Sequence, residues 1–231
     1  MPLGRLGLAA NALEAFLDES GTNPETPVLS VAGCYAQHNQ WLDFKRLWEP
    51  HSGTFHAKDG DGKFGKLVEC FIEAKINSML VTVSKEKYKR YANAHLKTAI
   101  GNPYAACTLL CAATICGNVL PRPVAFVLES GQPNLTFVKQ LLEQMMGAGY
   151  PDWRISAVAS ARKEEFIELQ CADFVSHISS SYDKRWMGKL FEHKILQHAH
   201  LTQDNLEYIS YVSTQVFRQA KAMRKAIERN K

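Results

Sequence analysis

The sequence predicts an α/β sandwich built on a mixed β-sheet, and three observations predict it. Short apolar, strand-like runs alternate with helical apolar spacing along the chain. The run Val124–Leu128 (VAFVL) is apolar without alternation, as suits a central strand covered on both faces. The first two strand-like runs flank a short polar loop over 23–27, so an antiparallel hairpin opens the fold.

The elements follow in order. Leu13–Leu17 leads into Asp18, Glu19 and the breaker Ser20-Gly21, so a buried strand ends there in a tight turn. Val28–Tyr35 (VLSVAGCY) is its hairpin partner. Trp41–Trp48 has the spacing of a short amphipathic helix stopped by Pro50, and a polar loop spans His51–Lys63. Lys66–Asn77 reads as a helix with Leu67, Cys70, Phe71 and Ala74 on its apolar side, and Met79–Val83 as a third strand. Lys85–His95 is a charged helix, whereas Tyr104–Cys116 is apolar almost all round and so is buried. Beyond Val124–Leu128 come a helix over Leu135–Met146, a last strand over Arg154–Ala159, and long helices over Glu164–Tyr182 and Asn205–Arg229.

A chain of 231 residues can bury a full core, and no repeat or linker divides it. One domain is expected, with a core over about 13–182 and a helical extension over 183–231. The net charge of +4 permits a polyanionic partner without demanding one. Six cysteines without repeated spacing read as reduced core thiols of a cytoplasmic protein. Cys107 and Cys111 lie one helical turn apart, but no CxxC or His at zinc-finger spacing accompanies them. The N-terminal MPLGRLGLAANA has too weak an apolar segment for a cleaved signal, and no stretch approaches membrane-spanning length.

Two strands end alike, Leu17-Asp18-Glu19-Ser20-Gly21 and Leu128-Glu129-Ser130-Gly131. Sites in open α/β sheets form outside the carboxyl ends of strands, so parallel neighbours would bring Asp18 and Glu129 to one rim. Glu19 points to the opposite face and joins them only if the strand has ended at Asp18. On the late helix Gln170, Asp173 and His177 share a face, and Asp173 sits in an apolar setting. It either pairs with a buried Lys or Arg or completes a carboxylate cluster; His177 packs or hydrogen-bonds more readily than it binds metal. Three acids at one rim repel one another, and oxygen-only ligation suits Mg²⁺ or Mn²⁺. Such sites hydrolyse phosphodiesters through an activated water.

Asp18-Glu19-Ser20-Gly21, Phe55-His56-Ala57-Lys58 and Gln170-Cys171-Ala172-Asp173, in that order, resemble the motifs of the domain of unknown function 3800 family, which is placed in the ribonuclease H-like superfamily. The resemblance spans about Ala15 to Tyr182, and the order of the three motifs is more specific than any one. It implies a ribonuclease H-like mixed sheet flanked by helices, with extra C-terminal helices. It also implies metal-binding acids at Asp18 and Asp173, with Gln170 supporting them. Glu129 is similar to the second acid of resolvase-type members. The expected activity is metal-dependent nuclease action on DNA or RNA, with Glu19 as a further candidate ligand. His56 and Lys58 are candidates to contact the scissile phosphate, and Lys58 alternatively pairs with a neighbouring acid.

Two rival readings remain open. A non-catalytic nucleic-acid-binding module would use the basic face Arg218, Lys221, Lys225 and Arg229, docked through Val212, Val216, Ala220, Met223 and Ile227. Asp18-Glu19-Ser20-Gly21-Thr22 also resembles the motif of aspartyl-nucleophile phosphatases of the haloacid dehalogenase type. That reading lacks the later acidic pair such enzymes need.

Overall fold

Strands β1 (Leu13–Ser20) and β2 (Val28–Gln37) pair antiparallel, with Leu17 opposite Gly33. The computed structural model describes residues 12–53, 55–59, 61–132, 134–148, 152–180 and 184–229. The N-terminal stretch weighed as a leader therefore lies outside the described residues, apart from Ala12. After β2 come α1 (His38–Ser52), α2 (Phe64–Ala74), β3 (Asn77–Ser84), α3 (Lys85–Tyr91), α4 (Ala94–Ile100) and α5 (Pro103–Val119). Then follow β4 (Val124–Glu129), α6 (Leu135–Gly147), β5 (Ile155–Ala161), α7 (Leu169–Ser180), α8 (Lys184–Glu192), β6 (Leu196–His200) and α9 (Gln203–Arg229).

Among the described residues the strands form one sheet in the order β5-β4-β1-β2-β3-β6. Pairing is parallel for β1/β4, β4/β5 and β3/β6 and antiparallel on both sides of β2, so β2 alone runs against the rest. Alternate side chains sort to two faces, as the strand period requires. Ala15, Leu17, Val31, Val81 and Phe126 pack toward α5, α6 and α9, while Phe16, Ala32, Leu80 and Val127 pack toward α1, α2 and α7. The sheet therefore has helices on both faces, and β4 is buried on both sides as its unbroken apolar run requires.

Local chemistry sets several boundaries. The Asn102 side chain accepts from the Ala105 N–H at 2.9 Å and Pro103 opens α5, the preferred arrangement at a helix N-terminus. α2 ends where Lys75 turns left-handed at φ 56°. Pro50 does not stop α1, which continues to Ser52. The single charged helix expected over Lys85–His95 is instead two, α3 and α4, broken at residues 92–93. The helix expected from Glu164 starts only at Leu169, because residues 162–168 are held as turns. α8, although amphipathic, and the short edge strand β6 were not expected; β6 extends the sheet to residue 200. Its five residues are a short edge of the kind that resists pairing with other chains. The side chains of Ala220, Met223, Lys225, Ile227 and Arg229 lie outside the described residues; Arg218 and Lys221 are exposed. All six cysteines are buried and free. No described helix is long and apolar enough to cross a membrane.

α5 approaches β2 closely because position 33 has no side chain. A Cβ there would lie 2.7 Å from Ile115 Cδ1 and 2.9 Å from Cys111 Sγ. Both neighbours belong to the fully buried α5 face, where extra volume is poorly tolerated. Gly33→Val is therefore expected to lower unfolding free energy by about 1–3 kcal/mol in urea titrations. An unchanged midpoint would contradict the close packing.

Candidate functional site

The parallel pairing of β1 with β4 aligns Leu17 with Leu128, so Asp18 and Glu129 follow side by side at the carboxyl ends of the two strands. β5 lies on the other side of β4, and its chain turns after Ala161 to present Lys163. α7 crosses the same end and carries Asp173. Residues remote in sequence thus converge because three neighbouring strands end at one rim.

At the centre of this rim stands an ammonium group. Lys163 Nζ lies 2.9 Å from Asp18 Oδ2, 3.0 Å from Asp173 Oδ1 and 3.1 Å from Glu129 Oε1. The Lys163 side chain is 12% exposed and Asp18 is buried, so these are charges taken largely out of water. The other oxygens are held separately. Asp18 Oδ1 accepts from the Glu19 N–H at 2.7 Å, and Asp173 Oδ2 accepts from the Ala57 N–H at 2.9 Å. Asp18 Oδ2 faces Lys163 but receives no well-directed hydrogen bond.

Glu19 joins the group although β1 runs on through Ser20. Ligand-capable oxygens of Asp18, Glu19 and Glu129 lie within 4.8 Å of one another, which corrects the expectation that Glu19 needs the strand to end at Asp18. Its side chain reaches the cluster from the far face at the end of the sheet. The tight trio is thus Asp18, Glu19 and Glu129, and Asp173 is tied to it through Lys163.

One positive charge cannot offset several carboxylates, and the titration behaviour reflects that. Burial first, then the Glu129 carboxyl and the Glu19 charge, hold the Asp18 carboxyl well above the usual carboxylate range; Lys163 pulls the other way. Burial and the Glu129 charge push Glu19 up to about 8. Burial works against the Lys163 ammonium, but Asp18 and Asp173 outweigh it and raise its pKa. Ion pairing alone would have lowered Asp18, so the shared upward direction of Asp18 and Glu19 means that burial and mutual repulsion outweigh the ammonium.

The remaining sequence candidates occupy different places. Gln170 is buried, and its Oε1 accepts from the Trp48 indole N–H at 2.7 Å. With His56 and Lys163 it lines a cavity of about 500 Å³ beside the acids. The segment at 55–58 serves the site through its backbone: Phe55 is buried against Trp48, which brings the Ala57 N–H to Asp173. Lys58 is exposed. His177 packs against Phe64, with ring centroids 6.1 Å apart. Sequence reasoning missed Lys163, since Arg162-Lys163-Glu164-Glu165 reads as an ordinary solvated run. The repulsion among the acids that pointed to a divalent cation is offset only in part by this lysine. Asp173 pairs with a lysine, the first of its two expected readings, and is linked to the other acids through that shared ammonium.

The donor set nonetheless fits a hard cation. It is oxygen-only, it includes a buried Asp18 oxygen without a directed donor, and a monovalent cation already sits among its members.

No family model matches the chain, and no curated protein matches it. Solved structures do. Bst RNase HIII in complex with Mn²⁺ superposes with a TM-score of 0.51 at 12% identity, over 81% of this chain and 57% of that one. RNase HII in its complex with PCNA from Archaeoglobus fulgidus gives a TM-score of 0.47 at 17% identity, over 78% of each chain. Ribonuclease H2 from Pyrococcus horikoshii gives 0.47 at 13%, over 78% of this chain and 76% of that one. At such identities the likeness is one of fold, and together with the mixed six-stranded sheet flanked by helices it makes this a ribonuclease H-like fold.

The raised Glu19 carboxyl has a consequence for stability. A carboxyl whose folded pKa lies above its unfolded value of 4.5 contributes stability that is full below 4.5 and is lost as pH rises toward 8. In the presence of EDTA, the wild-type protein is therefore expected to lose on the order of a few kcal/mol between pH 5 and pH 8. Glu19→Gln should flatten that slope in urea titrations at the two pH values. An identical slope in the variant would contradict the assignment.

Proposed function

We propose that the protein is a metal-dependent nuclease that hydrolyses phosphodiester bonds. The observation that carries this reading is the convergence of Asp18, Glu129 and Asp173 on the Lys163 ammonium, with Glu19 oxygens close to those of Asp18 and Glu129, at the carboxyl rim of a ribonuclease H-like sheet. Asp18, Glu129 and Asp173 are the ligands, with Glu19 joining them. A bound Mg²⁺ or Mn²⁺ would supply an activated water and neutralise charge at the leaving oxygen. Asp18 and Glu129, on rigid neighbouring strands, set the ligand geometry. The Ala57 N–H fixes one Asp173 oxygen and leaves the other aimed at the cation position. Gln170, anchored by the Trp48 indole, walls the cavity beside the acids that His56 also lines. The nuclease neighbours and the net positive charge of the chain support DNA or RNA as substrate. The likeness of the three motifs to the domain of unknown function 3800 family is the finer relation in this proposal, and it too points to a nuclease. We read the chain as one folding unit because β6, late in sequence, joins the same sheet. The reduced, buried cysteines support a cytoplasmic setting.

A second reading is favoured by Lys163 itself. If its ammonium is a permanent counter-ion, the same fold is a nucleic-acid-binding module without turnover, and its affinity would fall steeply with salt. The two readings separate in one experiment. Wild-type protein and Asp18→Asn are incubated with hybrid, double-stranded and single-stranded substrates in Mg²⁺ or Mn²⁺. The nuclease reading expects cleavage by wild type and a loss of about 10²–10³-fold in the variant. Cleavage that survives in Asp18→Asn would remove the mechanism, and binding without cleavage in both would establish the module. Mn²⁺ should also raise the melting temperature of wild type and not of the variant, because it binds only the native site.

A further inference from the structure

We propose that Lys163 is an exchangeable internal cation. Its ammonium holds the rim acids together in the metal-free protein and withdraws into the adjoining cavity when a divalent ion enters. This inference rests on the metal-dependent reading above.

The geometry supports exchange rather than permanent pairing. Nζ meets Asp18, Asp173 and Glu129 within 3.1 Å, so the ammonium and a metal ion compete for the same oxygens. An ammonium and a divalent ion cannot share this space without strong repulsion. Removing any one partner of a buried ion pair is strongly unfavourable, which explains why the metal-free acids need a resident charge. A lysine can supply that charge and leave again. It is a compact ammonium on a flexible four-carbon stem, whereas an arginine would lock two oxygens in a rigid fork.

A destination also exists. Lys163 borders the cavity of about 500 Å³ that Glu49, Glu164 and Glu165 also line. A second cavity of about 460 Å³ is lined by Glu129, Arg162, Glu164 and Glu165 of the same turn region. The displaced ammonium therefore finds carboxylates and solvent within reach of its stem. The backbone at 162–165 is a turn with exposed flanking side chains, so the swing needs no change in the sheet or in α7. Lys163 is thus a positioning residue: it keeps the acids converged before the metal arrives and adds a fixed cost to metal binding.

Withdrawal can be read without any assay of activity. Folded wild-type protein is labelled with an amine-directed acylating reagent, with and without saturating Mn²⁺, and modification is measured residue by residue by mass spectrometry. Exposed Lys221 serves as the internal reference. Mn²⁺ affinity is measured in parallel by electron paramagnetic resonance for wild type and Lys163→Gln. We expect Mn²⁺ to raise Lys163 labelling relative to Lys221 by about 10-fold and Lys163→Gln to bind Mn²⁺ about 10-fold more tightly. Tighter binding alone does not show withdrawal, because removing any nearby positive charge favours a cation; the labelling does. Mn²⁺ that binds wild type with Lys163 still protected would overturn the inference and leave the metal-dependent reading intact. Binding to Lys163→Gln but not to wild type would overturn it too, because the lysine would then be fixed. Binding to neither would overturn both. Should the variant fail to fold, labelling of wild type decides alone.

Discussion

One ammonium among four carboxyl groups is the constraint on which this structure depends. The acids come from β1, β4 and α7 and the lysine from the turn after β5, so the cluster exists only when all four segments have met. Left unpaired, acids buried to this degree would open the rim. The rest of the fold can be read as the scaffold that makes such a gathering tolerable. Parallel neighbours β1 and β4 bring two acids to one edge, and α7 closes over them.

Rigidity beneath the rim comes from aromatic packing. Phe16, next but one to Asp18, meets the Trp41 ring edge-on with centroids 5.0 Å apart, and Phe174, next to Asp173, meets Phe64 at 4.9 Å. Asp18 and Asp173 are thus set close in sequence to rings packed against their neighbours. The Trp48 indole adds a directed bond to Gln170 in the same layer. Buried acids with raised pKa values destabilise the folded state at neutral pH, and this apolar layer offsets them.

Much of this was legible in the residues. The hairpin of β1 and β2, the doubly covered β4 and the matched endings after Leu17 and Leu128 follow from apolar period and turn chemistry; that β1 and β4 are parallel neighbours, which sets Asp18 beside Glu129, comes from the structure. Lys163 was not legible, because one lysine in a charged run looks like a solvated surface; only tertiary structure shows that residues 162–168 stay out of the helix. That stretch has helix-forming residues, yet its Glu168 is buried against Lys45 at 2.6 Å, so packing overrides propensity. Glu19 was misjudged because strand alternation governs where a side chain starts, not how far a long one reaches around the end of a sheet. β6 escaped notice because Leu196-Gln197-His198-Ala199-His200 is a short, half-exposed edge with little apolar signal.

The central claim is that these acids form a cation site now held by a lysine. Anomalous diffraction from a crystal soaked in Mn²⁺ tests it most directly. The account predicts a peak at bonding distance from Asp18 and Glu129, about 2.0–2.3 Å, with the Lys163 amine moved away. A map with no anomalous peak at the rim, and Lys163 still seated among the carboxylates, would contradict it.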